Sequence, residues 1–346
     1  MVKGRGVSEN PAGRFQNIEV VRDEGEPVVT SLRTEYRSET AKTLITSNDS
    51  PDVPFAHSIN PYRGCEHGCS YCFARPTHSY LDLSPGLDFE TKIICKDNAV
   101  ELLRQTLAKD SYRCEPVVIG SATDPYQPIE KTRQLTRGLL EVFLAHRHPV
   151  CIITKSGLVR RDLDLLAALA GQQLTSVAVS VTTLDNSLKG KLEPRASSGS
   201  TRLAAIRELS AAGVPVTVLF APVIPFINDD ELEEVIAQAA EAGAQRAGYV
   251  MLRLPWELKE LWQGWLDEHY PDRAGRVMSV VRDLHGGRDY QSGWHTRQTG
   301  RGQWAALFAQ RFEIACRRAG LECYEVPALR TDLFRVPDKP DQLVLW

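Results

Sequence analysis

Residues 60–76 read NPYRGCEHGCSYCFARP and set three cysteines, Cys65, Cys69 and Cys72, in a C-x3-C-x2-C array. Gly64 and Gly68 sit inside it, where freedom to take positive φ lets the backbone turn tightly enough for three sulfurs to converge. The other five of the eight cysteines are scattered singly along 346 residues. That distribution suits a metal site in a reducing compartment better than a disulfide framework. A cubane iron–sulfur cluster ordinarily takes four thiolates. With three at motif spacing, one iron is left open to another ligand. The competing reading is a structural zinc site with His57, His67 or His78 as fourth ligand. Zinc sites usually come as two separated pairs, so the spacing favours the cluster.

Outward from this stretch, beginning at Phe55, short β-branched runs alternate with segments of helical period, the pattern of βα units on a parallel sheet. Strands are expected over 56–61, 116–121, 150–154, 175–182, 214–223 and 247–254. Helices are expected over 98–109, 132–147, 161–170, 200–212 and 229–242, with Gly171, Gly213 and Gly243 as stops. Six strands and five intervening helices predict an α/β fold, a partial (βα)6 TIM-type barrel over 55–255. Its chemistry should gather at the carboxyl ends of the strands. Residues 1–54 read as a polar arm, extended or partly disordered, and 256–346 as a helical C-terminal extension.

The bulk properties narrow the class. The net charge of -3 gives no global attraction to nucleic acid or membrane, and 42% hydrophobic residues suffice for a sizeable core. No run of about 18 uncharged apolar residues could cross a bilayer, and the first residues hold no apolar leader, so a cytoplasmic protein with no membrane partner is expected.

With the motifs in view, the chain resembles the spore photoproduct lyase-like branch of the radical S-adenosylmethionine (SAM) superfamily, often labelled DNA repair photolyase-related. The likeness covers about 55–255. It rests on PYRGC-x-HGC-x-YC followed by Phe73-Ala74-Arg75, on ITKSG at 153–157, Ser180, LEPRASSGSTRLAAIRELSAAG at 192–213 and FAPVIP at 220–225. The resemblance implies a 4Fe-4S cluster on Cys65, Cys69 and Cys72 whose open iron binds SAM. It further implies SAM contacts from Phe73, from Ser121, Thr123 and Asp124 after the second strand, from Lys155 to the SAM carboxylate, from Ser180 to the ribose, and from Ala221. An external electron donor of flavodoxin or ferredoxin type would reduce the cluster. One departure matters. Spore photoproduct lyases carry a hydrogen-donating cysteine shortly before an aspartate at this strand end, and aligning that aspartate with Asp124 puts Ser121 in the cysteine's place.

Each of these residues has a plainer reading. Asp-Pro and Gln-Pro in GSATDPYQPIE at 120–130 favour turns whatever the function, a strand-end lysine can snorkel, and a buried serine can satisfy a neighbouring backbone group. Glu193 and Arg195 are expected either to bind substrate or to pair with each other at the rim. From Arg273 to Arg318 there are nine Arg and no Lys against Asp283, Asp289 and Glu313, with Tyr290, Trp294 and Trp304 interleaved. Arginine with aromatics is how single-stranded nucleic acid is held, so 273–318 is a candidate nucleic-acid surface; the alternative is a solvated helix face with its aromatics packed on the barrel. A nucleic-acid-binding protein with a structural metal site is the competing functional class.

Overall fold

The computed structural model describes residues 2–15, 32–324 and 327–337. Six parallel strands run side by side in chain order: β1 (His57–Ile59), β2 (Val117–Ile119), β3 (Val150–Thr154), β4 (Thr175–Ser180), β5 (Val216–Val223) and β6 (Arg246–Met251). The register steps regularly, with His57 opposite Val117, Val117 opposite Val150, Val150 opposite Thr175 and Val177 opposite Val216. Between the strands lie α1 (Ala99–Leu107), α2 (Leu135–Ala145), α3 (Leu163–Ala170), α4 (Gly199–Ala211) and α5 (Leu232–Glu241). All five expected crossovers are present. β1 and β6 do not pair: Thr46–Ser47 flanks β1 antiparallel and Glu322–Cys323 flanks β6 parallel, leaving an open, partial barrel.

The strands are short and β-branched because both faces are covered. Val117, Ile119, Val150, Ile152, Val177, Val179, Val216 and Val218 are fully buried, together with Leu139, Phe143, Leu166, Ile206, Leu209 and Ile236 from the helices. Each such side chain stabilises the fold by about 1.5–3 kcal/mol. α4 is capped by Ser198, whose Oγ accepts from the Thr201 N–H at 3.2 Å. Gly213 (φ 78°) and Gly243 (φ 100°) close their helices in the left-handed region, as expected. At Gly171 the backbone stays right-handed, and Gln173 (φ 59°) makes the turn instead.

The termini do more than their polarity suggests. Val2 and Val7 are buried in an apolar cluster with Cys69, Tyr71 and Leu87. Arg5 donates to the Glu90 carbonyl at 2.9 Å, and the Gly6 N–H to Glu90 Oε2 at 3.0 Å. A Cβ on Gly6 would stand 1.6 Å from the Gly68 carbonyl oxygen, so only glycine lets this segment cross the cysteine loop. Residues 2–15 are thus packed onto the cysteine loop without a helix or strand of their own; positions 16–31 lie outside the described residues. Glu35–Glu39 forms a strand parallel to Lys92–Lys96, which also pairs with Tyr62–Arg63.

The extension forms α6 (Leu258–His269), α7 (Pro271–Leu284) and α8 (Gly302–Ala319). Trp262, Leu266, Val277 and Val281 join the apolar cluster under the cysteine loop. Between α7 and α8 the chain crosses the gap in the barrel. The Met251 N–H at the end of β6 donates to the Gln298 carbonyl at 2.7 Å, while Arg297 pairs with Asp52, ahead of β1, at 2.5 Å. Among the described residues no helix is long and apolar enough to cross a membrane.

Candidate active site

The cysteine loop leaves β1 and folds over the carboxyl ends of the strands. Gly64 (φ 76°) and Gly68 (φ 68°) take left-handed conformations that a side chain would strain. The loop is pinned by bonds from the Cys65 N–H to the Phe89 carbonyl at 2.9 Å, the Ser70 N–H to the Leu192 carbonyl at 2.9 Å, and the Arg195 N–H to the His67 carbonyl at 3.2 Å. Beneath it, Arg75 and Glu90 form an ion pair with neither side chain exposed, and Arg75 Nε donates to the Cys69 carbonyl at 2.9 Å. Gln127 holds both sides, accepting from the Glu66 N–H at 2.9 Å and donating to the Gly64 carbonyl at 3.2 Å.

Cys65, Cys69 and Cys72 are free thiols, the first two buried and the third half-buried. Burial pushes all three thiols up, while Lys155 and Arg202 act the other way on Cys69 and Arg75 on Cys72. Thiolates here need a bound cation, which is the donor chemistry of an iron–sulfur loop. The histidines that would complete a zinc site face other partners: His57 Nε2 lies 3.3 Å from Glu115, His67 Nδ1 3.4 Å from Asp124, and His78 Nε2 3.1 Å from the Lys92 carbonyl. Among the described residues no three His, Cys, Asp or Glu groups converge to hold a single metal ion. Thiolates that ligate separate irons of a cubane need not converge on one point. The loop fits that group.

The remaining sequence-named residues all reach this end of the barrel, with different duties. Asp124 is an internal rivet: Oδ1 accepts from the Tyr126 N–H and from Thr154 Oγ1, both at 2.8 Å, and Oδ2 from the Lys155 N–H at 2.7 Å. Burial would raise its carboxyl, but His67 and these bonds hold it below the usual range. Thr123 donates to the Tyr62 carbonyl at 2.8 Å, and Ser121 Oγ accepts from Asn60 at 3.2 Å. Lys155 Nζ donates to the Ala221 carbonyl at 3.0 Å and lies 3.8 Å from Glu193. Ser180 is buried at the end of β4, and its carbonyl accepts from Arg202 at 2.9 Å. Phe73 is 42% exposed, with the Arg253 guanidinium 4.3 Å above its ring.

Glu193 and Arg195 do not pair with each other. Glu193 is fully buried and accepts from Arg202, Tyr71 and, at 2.7 Å, Thr182, while Arg195 pairs with Glu66. Burial alone would raise the Glu193 carboxyl; Arg202 and Lys155 hold it at about 2. Tyr71 is one of the two residues between the second and third cysteines, so this network ties the loop to the strand ends. Sequence reading missed Tyr71, Thr182 and Arg202. One signal was available: Arg202 stands on the same helical stripe as the buried Ala205, Ile206 and Leu209, where a charge demands a buried partner.

Part of the arginine-rich stretch is committed to packing. Arg311 pairs with Glu233 at 2.7 Å, Arg282 with Asp289 at 2.8 Å and Arg297 with Asp52, while Arg276 lies over Phe226. Trp304 meets Phe226 edge-on, whereas Trp294 is 55% exposed.

Comparison with known proteins agrees with this geometry. The model of the Radical SAM superfamily matches residues 59–239, just over half of the chain. An uncharacterised protein of Mycobacterium tuberculosis is 39% identical over 232 residues, covering 66% of this chain and 68% of its own. An uncharacterised protein of Methanocaldococcus jannaschii is 30% identical over 191 residues, 55% of this chain and 68% of its own. Among solved structures, a spore photoproduct lyase mutant superposes with a TM-score of 0.60 at 18% identity, over 90% of this chain and 88% of that one. A mutant with bound AdoMet and dinucleoside spore photoproduct gives 0.58 at 17%, over 89% and 87%. At such identities the likeness concerns the fold. The chain is a radical SAM superfamily enzyme, built on the partial barrel that spore photoproduct lyase also uses.

Proposed function

We propose that Cys65, Cys69 and Cys72 hold a 4Fe-4S cluster with one open iron, and that the enzyme uses it to cleave SAM reductively. The observation that carries this reading is the loop itself: three free thiols at C-x3-C-x2-C spacing, shut in by burial, with no fourth cysteine beside them. Cys95 is buried against Tyr62, Ile93 and Leu135, and Cys316 and Cys323 belong to the extension. Cys114 precedes β2, and Cys151 lies near the start of β3, its Sγ 3.3 Å from Ser176 Oγ. When bound, the cluster and SAM supply a 5′-deoxyadenosyl radical that abstracts hydrogen from the substrate.

The chain's own residues bind and orient. Lys155, steadied by the Ala221 carbonyl and Glu193, offers its ammonium to the SAM carboxylate. Phe73, Ser121, Thr123, Ser180 and Ala221 are the further SAM contacts in this reading. The Glu193 network holds Tyr71 and so fixes the turn between Cys69 and Cys72. An external one-electron donor of flavodoxin or ferredoxin type completes the system. The test is SAM cleavage by the anaerobically reconstituted protein with dithionite, read as 5′-deoxyadenosine and methionine; deuterium transfer from a candidate substrate into 5′-deoxyadenosine identifies what the radical acts on.

The reaction is not spore photoproduct repair. A serine O–H is a much stronger bond than a thiol S–H and does not readily return hydrogen to a carbon radical, so Ser121 cannot serve as the donor. Cys114 and Cys151 lie toward the opposite ends of their strands. With dinucleotide spore photoproduct, 5′-deoxyadenosine should form with little or no thymine. Efficient conversion to two thymines, unaffected by mutating the remaining cysteines, would refute this.

A further inference from the structure

Arg253 stands apart from the other arginines around the cysteine loop. Arg75 is paired with Glu90, Arg202 with Glu193 and Arg195 with Glu66. Arg253 has no ion pair and donates no hydrogen bond among the described residues. It follows β6 by two positions, and its guanidinium lies 4.3 Å from the centre of the Phe73 ring, one residue beyond Cys72. Asp52, whose charge reaches it, is already taken by Arg297 at 2.5 Å and by the His295 N–H. Asp289 is held by Lys259 and Arg282, each at 2.8 Å. Burial pulls the Arg253 guanidinium below the ordinary arginine value, and Arg297 acts in the same direction.

A guanidinium in this setting is costly unless something completes it, because a desolvated charge without a partner is destabilising. Stacking on Phe73 uses the face of the fork and leaves its in-plane N–H donors free. Those donors suit an oxyanion bound bidentately. Arg253 and Arg297 face the single carboxylate of Asp52, which Arg297 engages, so a net charge of one guanidinium is left for an anionic group. We propose that Arg253 anchors a phosphate group of the substrate at the barrel mouth, over Phe73. This rests on the radical SAM reading above, since it makes the cysteine loop one wall of the substrate chamber.

The test is chemical labelling of the full-length, anaerobically reconstituted protein with phenylglyoxal, followed by peptide mass mapping. Arg253 should react early, and Arg75 and Arg202, both fully buried, should not. Inorganic phosphate at ten times its dissociation constant should slow labelling of Arg253 by about tenfold through mass action, and leave the exposed Arg207 unchanged. Protection by a short thymidylate oligomer as well would identify a phosphodiester; protection by inorganic phosphate alone would identify a phosphomonoester. An Arg253 that is unreactive, that phosphate does not protect, or that only acetate protects would overturn the proposal. Iron content measured on the same sample separates the two ideas: loss of the parent reading shows as missing iron, and loss of this one as missing protection in a protein that carries iron.

Discussion

The cysteine loop at 60–76 and the arginine-rich stretch at 273–318 both stand out in the sequence, and the fold uses them in opposite ways. In the loop, unusual residues are buried and cross-linked: Arg75 with Glu90, Tyr71 and Arg202 with Glu193, Gln127 to both sides of the turn. In the extension the arginines divide: Arg311 pairs with Glu233 and Arg297 with Asp52, Arg282 pairs with Asp289 within the extension, and Arg317 and Arg318 stay exposed. The three cysteines stay together on one buried loop. The excess of positive charge, spread over two helices and a connection, is met in part by acids from distant parts of the chain, Glu233 and Asp52.

The sharpest way to break this contrast is at the loop. Replacing Cys65, Cys69 or Cys72 by Ala should abolish both the bound iron and SAM cleavage, measured by metal analysis and product chromatography. Retention of either in any one variant would contradict the ligand assignment. The next effect is on stability. Glu193→Gln leaves Arg202 buried without its counter-charge and should cost about 3–5 kcal/mol, read from urea unfolding of the apo-protein. Glu193→Asp should recover part of it; a loss below about 1 kcal/mol would mean that the network does not hold the turn.

Acid acts first on the buried histidines. His148, fully buried and bonded to Tyr112 at 2.7 Å, is held by burial at about 4. The folded state thus keeps it neutral while the unfolded chain takes up a proton near pH 6.5. Stability is full above that pH and falls as pH drops toward 4, by at most about 1.4 kcal/mol per pH unit for this group. Glu193, depressed to about 2, contributes stability above about pH 4.3 that is lost only as pH falls toward 2. Unfolding midpoints between pH 7 and 4 should therefore decline in the wild type and decline less steeply in His148→Asn, where His78, also held by burial at about 4, still contributes. Equal slopes in the two proteins would refute the assignment. The smallest effect lies in the extension: Arg317→Gln and Arg318→Gln, both exposed, should each shift stability by less than about 0.5 kcal/mol.

Much of this architecture was legible because parallel strands covered on both faces read as short β-branched runs, and because the helix-ending Gly213 and Gly243 do what glycine does. The strand at Glu35–Glu39 was not legible, since its side chains are mostly exposed and polar. Nor was the packing of residues 2–15, where Gly6 and Arg5 act through the backbone of Gly68 and the carbonyl of Glu90 rather than through an apolar pattern. At the site, the cysteines were visible from spacing alone. The partners of Glu193 were hidden, because Tyr71, Thr182 and Arg202 come from three separate segments that only the barrel brings together.

The most direct measurement of the central claim is iron and acid-labile sulfide per chain in protein purified without oxygen, with SAM cleavage assayed on the same sample. About four irons and four sulfides on a brown protein, with dithionite-dependent formation of 5′-deoxyadenosine, is the predicted result. A colourless protein carrying stoichiometric zinc after anaerobic reconstitution, with no cleavage of SAM, would contradict it.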